Sequence, residues 1–106
     1  MPKYLIRARL TGEGLKGTLH EGGTVRRAQV AKLLESVGGT IESFYYAFGD
    51  DDVIVIANLP DNTSAAAAVM TVAAAGAAEP STTVLITPEE VDEIAEVVVD
   101  YRPPGG

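Results

Sequence analysis

Four groupings of residues in this chain have types and spacings that chemistry can use. Gly12-Glu13-Gly14-Leu15-Lys16-Gly17 has the G-x-G-x-x-G spacing that cradles a dinucleotide when a strand precedes it and an unbroken helix follows. Here Gly22-Gly23 breaks any such helix after about two turns. The chain also lacks the further βα units of a dinucleotide fold, so Thr11 to Gly23 reads as a flexible glycine loop, with room for one short helical turn at Leu15–Leu19. Asp50-Asp51-Asp52 offers three carboxylates, but consecutive residues splay their side chains and the spacing is not that of a calcium loop. It reads as a hairpin turn with a solvated acidic tip. His20 is the sole histidine. With no second histidine and no cysteine beside it, it is no metal ligand. It can serve as general base or acid if its loop folds over the sheet, and is otherwise an exposed loop residue.

The fourth grouping is Arg7, Arg9, Ser43, Tyr45 and Asn58. Strand parity puts Arg7 and Arg9 on one face, and Ser43, Tyr45 and Asn58 on one face. If the first and third strands are adjacent, both sets line one polar pocket able to receive a carboxylate or an enolate. The competing use is an interface salt bridge, for instance from Arg7 or Arg9 to Glu42 or Glu13. Arg26-Arg27 sit in the first turn of a helix, against its dipole, a placement that a carboxylate from a partner would relieve.

The elements that position these residues follow from periodicity. Tyr4 to Leu10 alternates as a first strand. Thr24 can cap a helix whose stripe is Val30, Leu33, Leu34 and Val37, stopped at Gly38-Gly39. Thr40 to Phe48 and Val53 to Leu59 form a hairpin. A two- or four-residue turn pairs Phe48 with Val53, Tyr46 with Val55 and Phe44 with Ala57 on one face. The other face then carries Tyr45, Ile54, Ile56 and Ile41. Asp61 to Ser64 offer caps for an alanine-rich helix ending near Gly76, and Thr82 to Thr87 is a fourth strand. Thr87-Pro88-Glu89-Glu90 is a capping box that opens a third helix, Pro88 to Val99, with Val91, Ile94, Ala95 and Val98 on its stripe. The order is ferredoxin-like βαββαβ, an α+β fold. It predicts a four-stranded antiparallel sheet with helices on one face plus a C-terminal helix. Residues 1–100 read as a single domain and residues 101–106 as a tail.

One face of that sheet is left apolar without a cover inside the chain. Either a second copy covers it or the C-terminal helix folds across it; self-association is the economical solution. The composition narrows the functions further. Lys+Arg 8 against Asp+Glu 15 gives a net charge of −7, which argues against nucleic acid and anionic membrane as partners. Cys 0 removes disulfides, thiolate metal sites and a cysteine nucleophile. Trp 0 and aromatics at 6% remove a base-stacking platform. The charge-free apolar stretch Ser64–Ala78 falls short of the roughly 18–20 residues of a membrane span. No targeting segment is visible, and the chain reads as cytoplasmic.

The run from Gly38 to Ile56, GGTIESFYYAFGDDDVIVI, resembles the core of the GYD domain family, short bacterial proteins of the dimeric α/β barrel group. Leu59-Pro60-Asp61 and Thr82 to Glu90 are also similar, so the resemblance runs from Tyr4 to Glu90. It implies a homodimer or higher oligomer built as an α/β barrel, and no particular reaction. Where the family often has a Gly-x-Tyr-Asp turn, Gly49 and Asp52 match, while Asp51 replaces the tyrosine. The wider barrel group holds small monooxygenases, isomerases, haem-handling enzymes and ligand-sensing modules. Its chemistry sits between sheet and helices or between paired sheets.

The expectation is a cytoplasmic homo-oligomer that binds a small organic molecule in a pocket on the sheet, through Arg7, Arg9, Ser43, Tyr45 and Asn58. No cofactor or metal is implied. One alternative is a cofactor-independent isomerase or monooxygenase-like enzyme, with His20 as base, Tyr45 as hydrogen-bond donor and Arg7 as anion partner. Another is a structural or regulatory oligomer with no pocket.

Overall fold

Strand β1 (Lys3–Leu10) runs through the centre of a four-stranded antiparallel sheet ordered β2-β3-β1-β4. The other strands are β2 (Thr40–Tyr46), β3 (Val53–Asn58) and β4 (Ala78–Leu85). The computed structural model describes residues 1–106. The first and third strands are adjacent, as the ferredoxin-like order requires, with Tyr4 opposite Ala57 and Ile6 opposite Val55. Helices α2 (Gly23–Glu35) and α3 (Asn62–Ala75) pack on the face that carries Tyr4, Val55 and Ala57. Leu34, Ala65 and Ala68 complete the buried cluster together with Leu59. The stripe predicted for α2 is the one that packs: Leu34 is buried, and Val30, Leu33 and Val37 lie against the core.

The glycine segment is where expectation and structure part. Gly12–Glu21 is a helix, α1, and not a loop. Thr11 caps it by accepting the Gly14 N–H, and Thr11 itself donates its N–H and its hydroxyl to the Ala77 carbonyl. The glycine at position 14 serves close packing: a Cβ there would sit 2.0 Å from the Ala77 oxygen. Tertiary contact thus overrides the poor helix propensity of three glycines. Gly22, at φ 97° and ψ 154°, turns the chain directly from α1 into α2 in a conformation that side chains other than hydrogen rarely take. Gly22, and not Thr24, is therefore the N-cap of α2.

The β2–β3 register is shifted by two residues from the expectation. Tyr46 lies opposite Val53 and Phe44 opposite Val55. The slip is even, so the faces are kept. Its cause is a longer turn, closed where the Ala47 N–H donates to the Asp52 carbonyl at 2.8 Å. A bulge between Ile41 and Ser43 adds an odd step at Glu42. That step turns Ile41 to the helix side, opposite Ala57 and against the core, and corrects its expected place on the open face. Asp52 is no solvated tip either: its carboxylate accepts the Leu10 N–H at 2.8 Å and pins the end of β1.

Strand β4 starts at Ala78, earlier than predicted, and pairs with β1 along its length, Pro80 opposite Ala8. Proline is tolerated there because β4 is an edge strand. The capping box at Thr87 and Glu90 forms, with Pro88 at N1. The helix it opens, α4 (Pro88–Glu96), is three residues shorter than expected, so Val98 falls beyond it. Helix α4 does not fold across the sheet. It stands off the domain, and every residue from Pro88 to Gly106 is exposed. The radius of gyration is 17.0 Å, against about 13 Å for a compact chain of this length.

Candidate functional site

Two surfaces can meet a ligand or a partner: a cleft on the helix side of the sheet, and the open face on the other. The cleft has a volume of about 230 Å³. Ile6, Ala8, Val53 and Val55 of the sheet form its floor, and Val30 and Leu33 of α2 and Val69 and Val72 of α3 form its walls. Sixteen of its twenty-one lining residues are hydrophobic. Polar side chains come from Thr18, Arg26, Gln29 and Tyr46. The Thr18 hydroxyl is spent on the Gly14 carbonyl at 2.9 Å, and the Tyr46 hydroxyl donates to the Gly23 carbonyl at 3.0 Å. Partial desolvation raises the Tyr46 phenol above its ordinary value, against the lowering pull of Arg26 and Arg27. The nearest carboxylate to the Arg26 guanidinium is Glu21 at 3.8 Å. Gln29 makes no hydrogen bond through its side chain.

None of the residues expected to bind ligand or to catalyse lines this cleft, whereas Arg26, marked in the sequence only for its placement against the helix dipole, does. Gln29 and the position of Arg26 at a cleft are what sequence reasoning missed. The signal was there: Arg26, Val30, Leu33 and Val37 are spaced by four, three and four, so Arg26 extends the apolar stripe of α2 backwards by one turn.

The open face holds the expected polar set. Cross-strand pairing lays Tyr45, Ile54, Arg7 and Ser81 in one row, and Ser43, Ile56, Leu5 and Thr83 in the next. Asn58 lies opposite Lys3, and Arg9 lies opposite Glu79 at the β4 side. None of them lines the cleft or the hollow beside it. The Asn58 side chain is already engaged, accepting from Lys3 Nζ at 2.9 Å, and Lys3 also pairs with Glu42 at 2.6 Å. Arg7 lies 3.9 Å from Asp51, a long and exposed pair of little energetic weight. Arg9, Ser43 and Tyr45 carry no side-chain hydrogen bond, and Tyr45 is 69% exposed. His20 sits in the last turn of α1, exposed, and not in a loop. Helix α1 lies on the helix side of the sheet, so His20 is not brought together with Tyr45 and Arg7. No group of three His, Cys, Asp or Glu side chains converges as a metal site would require. No helix is long and apolar enough to cross a membrane.

The match over nearly the whole chain decides the family. The GYD domain model matches residues 4–95. The chain belongs to the GYD domain family. In this GYD domain the retained Asp52 of the turn has a structural task, the hold on the Leu10 amide. No curated protein matches the sequence. Among solved structures, the crystal structure of MtbAldR (Rv2779c) is similar with a TM-score of 0.59 and 17% identity, over 81% of this chain. The GYD chain spans 52% of the length of that structure. The likeness shows a shared α+β fold.

Proposed function

We propose that this GYD protein is a cytoplasmic small-molecule-binding subunit that works as a homodimer or higher oligomer. The cleft carries the ligand reading. A hollow of about 230 Å³ behind the sheet, apolar on most sides with a few polar groups, has the make-up of a small-molecule site. A thermal-shift screen of small organic metabolites tests it, on the native chain and on Val72→Phe, which fills the cleft. Some compounds are expected to raise the melting temperature of the native chain and not of the variant. If none stabilises the native chain, or if the variant responds equally, the reading fails.

Self-association is supported by what one subunit leaves uncovered. Only ten of its 106 residues are buried, too small a core to stabilise a lone domain comfortably. Leu5, Ile54 and Ile56 line the middle of the open face. Helix α4 presents Val91 and Ile94, each about half exposed. A nine-residue helix with an unburied stripe is marginal in water. A second copy would cover both surfaces. With a second sheet over the open face, the set Arg7, Arg9, Ser43, Tyr45 and Asn58 becomes the lining of a space between subunits. Sedimentation velocity at micromolar concentration is expected to show a dimer or larger, and Ile56→Glu to dissociate it. A native monomer would overturn the assembly.

A further inference from the structure

We propose that the cleft is built for an amphiphile with an anionic head, an apolar carboxylate held by Arg26. The inference deepens the ligand reading above and rests on it. Its first support is the sign of the lining. Arg26 is the only charged residue that lines the cleft, and no carboxylate does, in a chain whose net charge is −7. The Arg26 side chain is 39% exposed, so it stands at the rim where the apolar wall meets water and a ligand's head group can reach it. Glu21 at 3.8 Å is a loose partner: it is 41% exposed, and such a contact is screened by water and easily exchanged.

The second support is donor capacity. Tyr46 and Thr18 have given their protons to backbone carbonyls. Arg26 retains the planar fork that grips a carboxylate through two parallel bonds. Gln29, one turn further along the same helix face, retains its amide donors. Arg27 adds a second cation from the adjoining hollow, which shares Phe44 and Tyr46 with the cleft. Together they make one end of an apolar cleft electropositive.

Size completes the class. A volume of about 230 Å³ lies just below the range of about 300–1,000 Å³ usual for pockets that hold drug-sized ligands, so the ligand is small. That suits a medium-chain or aryl carboxylic acid. Octanoate is the probe, and octan-1-ol is its uncharged counterpart. Isothermal titration of the full chain is expected to show octanoate binding roughly ten- to a hundredfold tighter than octan-1-ol, the value of a charge-assisted pair. Arg26→Gln is expected to bring octanoate down to the level of the alcohol, and Arg26→Lys to fall between. Val72→Phe is expected to abolish both. Equal binding of acid and alcohol by the native chain would overturn the ligand class and leave the ligand reading standing. Failure of both to bind would overturn the class for this cleft, and the metabolite screen separately decides the broader reading. Undiminished octanoate binding by a folded Arg26→Gln would remove Arg26 from the site.

Discussion

Replacing Gly14 by alanine is expected to destabilise the protein, although alanine is the better helix former. The added methyl would lie 2.0 Å from the Ala77 oxygen and 2.9 Å from its carbonyl carbon. Carbon and carbonyl oxygen rest no closer than about 3.3 Å, so α1 must retreat from the start of β4 by more than about 1 Å. That retreat strains the bonds that Thr11 makes to the same oxygen, at 3.0 Å from its N–H and 3.2 Å from its hydroxyl. Overpacking costs about 1–3 kcal/mol, and a lost hydrogen bond about 0.5–1.5 kcal/mol. The helix-propensity gain offsets roughly 1 kcal/mol. The net expectation is a loss of about 1–3 kcal/mol. Gly17→Ala in the same helix is the control, because nothing lies within 4 Å of its Cβ; it is expected to stabilise by about 0.5–1 kcal/mol. Urea unfolding followed by circular dichroism, at one fixed protein concentration, measures both. Equal stabilisation by the two substitutions would refute the close approach of α1 to Ala77. Destabilisation by Gly17→Ala would refute the helix and restore the glycine loop.

Two more expectations concern the core and a cap. Leu59→Ala removes a side chain with 0% exposure, and a loss of about 2–5 kcal/mol is expected in the same urea assay. Asp61 caps α3 by accepting the Ser64 N–H at 2.8 Å, and these bonds hold its carboxyl below the ordinary 3.8. A depressed folded value means stability that is fully present above the unfolded pKa and lost as pH falls through the folded one. The difference in melting temperature between native chain and Asp61→Asn is therefore expected to be constant above about pH 5 and to shift only below about pH 4. A difference that changed near neutrality would contradict this cap.

Much of the fold was legible because periodicity and caps agree with packing. The stripe of α2, the capping box at Thr87 and the faces of β2 and β3 are all local patterns. The hairpin register was not, since turn length is set by the Ala47–Asp52 bond and by the hold of Asp52 on Leu10. Ile41 escaped because a bulge reverses parity and leaves no mark in composition. Helix α1 escaped because its stability lies in a contact with Ala77, some sixty residues along the chain. The cleft was illegible for a different reason. Its walls are Val, Leu, Ile and Ala, the same types that fill a core, and only packing decides whether they leave a hollow. The parity that put Arg7, Tyr45 and Ser43 on one face was sound, yet a shared face is not a concavity.

The sheet's two outer strands each carry a flaw in their pairing edge. On β4 it is Pro80, which has no amide proton to offer a neighbour; on β2 it is the bulge at Glu42, with a charge on the extra residue. Both are devices that discourage strand-by-strand addition. With lateral growth blunted on both sides, the self-association proposed above is left to run through a face. Face-to-face joining about a twofold axis uses up the surface that makes it. An assembly of that kind would end in particles of finite size and not in fibrils, even though so much apolar surface is left outside a single chain.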